Sequence, residues 1–237
     1  FPCGLMAFSG VRRGWFSARG ALVVSLSALG AVLAALVLSR LLGFPSRLLI
    51  DAVSWDMPRL PGLIEAVYSS FVMTAFAEEA ARLGVFVGLV TLAGPLLASD
   101  GPDAEGDDAF AFNRALLARA ALFGLAFAAF EGVSYGMALP RSVFVRMLTA
   151  VPVHALASIC SVSAWAVSRS RPRVRARSVV RRGFVVACAL HGLFSFVLLV
   201  GPLRVGAAFI PVALAALALL SLAARQCWRA ATAAEGR

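Results

Sequence analysis

Six ionisable side chains fall inside hydrophobic stretches of this chain: Glu78, Glu79, Arg82, Glu131, His154 and His191. Each costs on the order of 2.5–3.5 kcal/mol to insert into hydrocarbon, so its presence needs a reason. The chain has only two histidines and both belong to this set, whereas all six aspartates read as loop residues. Glu and His are side chains that carry protons, activate water and bind metals. Glu78 and Arg82 are four residues apart, so on a helix they share a face and can pair. Glu79 points about 100° away from Glu78. Two adjacent carboxylates in a dry site do not both ionise easily. A glutamate able to take up a proton there is a general base for water, and facing histidines are oxyanion donors. The same set can also ligate a metal; its members would be Glu79, Glu131, His154 and His191. Taken singly, a membrane Glu or His more often makes a helix–helix hydrogen bond or belongs to a transport path. Ser158 and Ser195, each four residues after a histidine, read as helix–helix hydrogen-bond donors. Phe127, Phe130 and Tyr135 read as packing. No HExxH occurs, so the zincin helix is absent, and neither Ser158 nor Ser195 sits in a GxSxG nucleophile elbow.

The elements that must position these residues are membrane spans. The chain has 237 residues and is 61% hydrophobic, with a mean hydropathy of +0.88. Soluble domains are about 45–50% apolar. The excess lies in runs of about 18 residues or more, the length that crosses hydrocarbon. The expected fold is an all-α polytopic transmembrane bundle of about six spans. These are Ala21 to Leu38, a stretch within Pro61 to Ala98, Ala115 to Leu139, Val145 to Val167, Gly183 to Val200, and Val205 to Ala224. The second would be ~57 Å long as one straight helix, so a kink or an interfacial start is expected there. The first run follows Arg12, Arg13 and Arg19. It is longer than a signal h-region and no small-residue cleavage site follows, so it reads as a retained span. The chain begins at Phe1 rather than Met, which suggests a fragment or a start further upstream.

All 22 basic residues are arginines and the net charge is +10. They gather at the ends of apolar runs, where they set topology; nucleic acid is not expected as a partner. The segment 169–182 carries seven arginines and reads as a cytoplasmic loop. Counting six spans outward from it puts both termini in the cytoplasm of a plasma or inner membrane. Cys3, Cys160, Cys188 and Cys227 are scattered and form neither a disulfide framework nor a zinc ribbon.

Four blocks resemble the PrsW family of intramembrane proteases, relatives of the type II CAAX prenyl endopeptidases. Ala75 to Arg82 is similar to the family's EExxK/R. Gly124 to Glu131, followed by Tyr135 and Gly136, is similar to its Gly-Phe-Ala stretch leading to Glu and Tyr. Arg146 followed by His154-Ala155-Leu156 resembles its Arg…His-Ala-Leu span, and His191 to Phe196 its His-Gly-x-x-Asp-Phe. The resemblance runs from about Ser69 to Phe196. It implies catalytic roles for Glu78, Glu79 and His191, with Glu131 and His154 beside them and Arg82 and Ser195 in support. It also implies cleavage of a membrane-anchored protein such as an anti-sigma factor. Two positions depart from the pattern. Ser195 replaces the acidic or Asn residue, and it cannot ligate a metal as Asp does. Gly132 stands where Asn is frequent.

Together these features predict residues 1–60 as an N-terminal segment with the first span, 61–200 as the protease core, and 201–237 as a last span with a basic tail. The expected activity is hydrolysis of a single-span substrate by glutamate-activated water. A metal-free site is favoured over a zinc site because no ligand spacing is diagnostic. The competing readings are a non-catalytic homologue, which Ser195 favours, and a proton-coupled transporter. The lack of an internal repeat weighs against the transporter.

Overall fold

In the computed structural model, the described residues are 17–53, 60–93, 109–138, 143–169 and 172–204, with a few isolated positions outside them. Apart from Ser17, Ala93 and Pro172 they are all helical. In chain order the elements are α1 (Ala18–Val53), α2 (Leu60–Tyr68), a π-helix (Ser69–Phe76), α3 (Ala77–Leu92), α4 (Ala109–Ala138), α5 (Val143–Arg169) and α6 (Arg173–Arg204). Among the described residues, four stretches are long and apolar enough to cross a membrane: Ala18–Gly43, Ala115–Val133, Ala150–Arg169 and Arg175–Val197. The sixth expected span lies outside the described residues. The second is not a single apolar helix. Its backbone passes from α2 through the π-helix into α3, and its deepest part carries three charges.

Side-chain size decides how α1 faces the bundle. Ala21, Val24, Ala28, Ala31, Val32 and Ala35 recur at three- and four-residue intervals and are buried. Leu22, Leu26, Leu29, Leu33 and Leu36 recur on the opposite side and are exposed. In lipid, small residues let backbones approach closely, and leucines lose nothing by facing the acyl chains. The same logic makes α4 the central helix. Of its spanning window 72% is buried, against 33% for α1 and 22% for α6. Helix α4 packs on α1 and α5, α5 packs on α6, and α6 in turn closes on the π-helix.

Two helix contacts depend on glycine. A Cβ on Gly124 of α4 would lie 2.5 Å from the His154 carbonyl oxygen and 2.8 Å from the Ala155 Cα of α5. A Cβ on Gly192 of α6 would lie 2.4 Å from the ring of Phe71 on the π-helix. The π-helix and the last residue of α2 before it are also tied to α1. The Ser39 hydroxyl donates to the Met73 carbonyl, and the Tyr68 hydroxyl donates to the Leu42 carbonyl at 2.9 Å. Such bonds matter where water is absent, because irregular backbone must find protein partners.

The structure corrects two expectations. The arginine-rich segment is largely helix rather than loop, since α6 already begins at Arg173. At 1.5 Å per residue, its 32 residues give about 48 Å. That exceeds a ~30 Å hydrocarbon core, so α6 is longer than a single span needs. Asp51 is likewise helical, because α1 continues well past Leu38 to Val53.

The glycine contact yields a paired prediction. Gly124→Ala forces backbone apart and is expected to cost about 1–3 kcal/mol, as overpacking does. Gly30→Ala, whose added methyl meets nothing within 4 Å, is expected to be neutral or slightly stabilising. Thermal unfolding in detergent measures both; equal melting temperatures would refute the close-approach explanation.

Candidate active site

Helix α3 begins with Ala77, Glu78 and Glu79 directly after the π-helix. The last π turn is marked by the Ala77 N–H, which reaches back five residues to the Val72 carbonyl. Glu78 is 8% exposed, Glu79 0% and Arg82 2%. Glu131 comes from α4, His154 from α5 and His191 from α6, and all three are buried. All six ionisable residues singled out from the sequence therefore meet in one cluster, drawn from four helices.

Arg82 is the hub of that cluster. Its Nη2 donates to Glu79 Oε1 in a short ion pair. Its Nη1 donates to the His154 carbonyl at 2.9 Å and to Ser158 Oγ at 3.4 Å. Its Nε reaches the Glu78 carbonyl at 3.4 Å. The guanidinium also lies 4.9 Å from the ring centroid of Phe127. Arg82 thus pairs through its side chain with Glu79, three residues back, while Glu78, four residues back, offers it a backbone carbonyl. Ser158, expected as a helix–helix donor, is here an acceptor from Arg82 on another helix.

Each histidine has one ring nitrogen held by a carboxylate. His154 Nε2 lies 2.9 Å from Glu131 Oε2, and His191 Nδ1 lies 3.0 Å from Glu79 Oε1. The other nitrogens turn toward Glu78. His154 Nδ1 is 3.7 Å and His191 Nε2 3.8 Å from Glu78 Oε2, beyond hydrogen-bond length. The two imidazoles meet edge to face, with centroids 5.0 Å apart. One atom each from Glu78, His154 and His191 thus lie within 4.8 Å of one another. His154 Nδ1 is buried and accepts no hydrogen bond from the described residues.

This donor set fits a metal ion. A histidine whose N–H goes to a carboxylate presents a lone pair from its other nitrogen, the usual arrangement around a ligating imidazole. Here both histidines have such a carboxylate, and their free nitrogens converge on a third carboxylate. The trio is Glu78, His154 and His191. Of the residues proposed as ligands from sequence, Glu79 and Glu131 instead stand behind the histidines.

A cavity of about 280 Å³ opens beside the cluster. Glu131, His154 and His191 line it together with Ser69, Ser70 and Thr74 of the π-helix and Ser195 and Phe194 of α6. Phe127, read from sequence as packing, covers His154 with ring centroids 5.2 Å apart. Gly132 lies on α4 next to Glu131, with open space where a Cβ would stand; the side chains of Tyr135 and Arg146 lie outside those described. Sequence reasoning missed two features. One is the π-helix, whose residues are ordinary helix formers apart from its serines and threonine. The other is Arg119, also buried within the Ala115–Val133 span; its position alone could have added it to the intramembrane charges.

The hub makes Arg82 a stability determinant. Arg82→Met leaves the buried Glu79 carboxylate uncompensated and is expected to cost about 3–5 kcal/mol. Combining it with Glu79→Leu should recover part of that loss. A double-mutant cycle by thermal unfolding in detergent measures the coupling; additive effects would contradict the ion pair's role.

Comparison with known proteins agrees with this geometry. A family model described as PrsW family intramembrane metalloprotease matches residues 19–223, most of the chain. No curated protein and no solved structure matches. The family model spans α1 to the far side of α6 and takes in every member of the buried cluster, and on that basis the chain belongs to the PrsW family of intramembrane metalloproteases.

Proposed function

We propose that this protein is an endopeptidase that cleaves a single-span membrane protein at the cavity walled by His154, His191 and Glu131, with a divalent ion, zinc in the first instance, held by Glu78, His154 and His191. The observation that carries this reading is the convergence of three metal-binding atoms, with each histidine turned by its own carboxylate. An ion bound there supplies Lewis-acid polarisation of the scissile carbonyl and a more acidic water. The chain's residues do the rest. Glu79 and Glu131 orient the two rings and hold their N–H protons. Arg82 balances the charge of Glu79 and ties α3 to the His154 backbone. Glu131 is the carboxylate on the cavity wall; it accepts the proton of the attacking water and returns it to the leaving amine. Sequence spacing could not favour a metal, because the three ligands come from three helices. Ser195 does not count against this reading, since it is not one of the converging atoms.

One observation favours a metal-free alternative. Arg82 Nη2 lies 3.2 Å from His191 Nδ1. If it donates there, the His191 proton moves to Nε2, which then faces Glu78 as a donor. In that tautomer Glu78 is the base that activates water, and the His191 Nε2–H stabilises the oxyanion. We place the protease core in residues 61–200 and both termini on the cytoplasmic side, in keeping with the arginines that flank the spans.

Metal content separates the two mechanisms. The purified protein is expected to carry about one equivalent of zinc by mass spectrometry, and Glu78→Gln or His154→Ala should lose it. Cleavage of single-span reporters should fall at least 100-fold in both variants. Full cleavage by chelator-treated protein would sink the metal mechanism and leave Glu78 as base. Full cleavage by Glu78→Gln and His191→Ala would sink the protease reading altogether.

A further inference from the structure

The hydroxyls of the π-helix are polar groups of the cavity that the chemistry above does not use. Several helical hydroxyls among the described residues bond back to their own helix. Ser27 donates to the Val23 carbonyl, Thr91 to Val87, Ser161 to Ala157 and Ser163 to Ile159. Ser70 does not. It is 2% exposed, it lines the cavity, and its Oγ has no hydrogen-bond partner among the described residues. A desolvated hydroxyl without a partner is unfavourable unless something else satisfies it. It also sits in a π-helical segment, a feature that recurs at functional sites.

The substrate has the complementary need. A spanning helix satisfies its own peptide groups, but hydrolysis requires an unwound segment. Each peptide group freed in hydrocarbon then costs several kcal/mol unless it meets a protein partner. The cavity offers Ser69, Ser70 and Thr74 from the π-helix and Ser195 from α6. At about 280 Å³ it is at the small end of ligand sites, room for a short unwound segment and not a whole helix.

Building on the protease reading, we propose that the Ser69, Ser70 and Thr74 face of the π-helix binds the main chain of an unwound substrate segment with small side chains, the Ser70 hydroxyl donating to a substrate carbonyl. Ser70 is on this view a substrate-binding residue, and the π-helix is the cradle that delivers the scissile bond to His154 and His191.

The test compares wild type, Ser70→Ala and Ser70→Thr in detergent. The probes are two single-span reporter proteins, one with a Gly/Ala/Ser segment at mid-span and one with an all-leucine span. Wild type is expected to cleave the first reporter in preference to the second. Ser70→Ala should lower kcat/KM about tenfold to a hundredfold, the worth of one desolvated hydrogen bond, with an unchanged or higher melting temperature. Ser70→Thr, which keeps the hydroxyl, should restore most of the activity. A lower melting temperature for Ser70→Ala makes the residue structural and overturns the inference. So does undiminished cleavage by Ser70→Ala while wild type is active, which leaves the protease reading standing. Failure of wild type to cleave either reporter counts against the protease reading and takes this inference with it.

Discussion

A full positive charge sits almost out of reach of solvent at the centre of this bundle, and the packing around it follows from that constraint. A guanidinium has five N–H donors and cannot shed its proton. In hydrocarbon each donor needs a protein acceptor, and the charge needs a counter-charge. Arg82 finds them in the Glu79 carboxylate, the His154 and Glu78 carbonyls and Ser158, with the face of Phe127 beside it. Those partners come from α3, α4 and α5. The same carboxylate oxygen of Glu79 reaches His191 on α6. One residue therefore fixes the mutual register of four helices.

Close backbone approach makes this possible. The His154 carbonyl that accepts from Arg82 is also the atom against which Gly124 packs. The space a methyl group would need is taken by α5 itself. Without that proximity Phe127, on the same helix as Gly124, could not cover both the guanidinium and the imidazole. Small residues on α1 and the central position of α4 serve the same end: they exclude lipid and water, so that the polar groups can satisfy only one another.

Much of this was legible in the sequence. Hydropathy located the first, third, fourth and fifth spans close to where the structure has them. The cost of burying charge singled out the six residues that converge. Their finer roles were not legible. Glu78 and Glu79 are four and three residues from Arg82, and both spacings permit pairing on a helix. The choice is made by His191 and His154, which approach from other helices. The arginine-rich segment looked like a loop because its charge interrupts hydropathy, yet arginine is a good helix former and α6 simply continues through it. The departure from α-helical backbone before Glu78 had no distinctive composition to announce it.

That departure gives the site a property resembling a reading frame. Each residue of an α-helix advances about 100°, and a π-helical run exists because the chain carries more residues than an α-helix would place in the same turns. Deleting one residue within Ser69–Phe76 would leave the hydropathy and every glutamate, histidine and arginine intact. It would nonetheless bring Glu79 to the place where Glu78 now faces the two imidazoles. Related chains can thus keep every functional residue and still differ in phase. The number of residues between α1 and the paired glutamates is then as informative as the glutamates themselves.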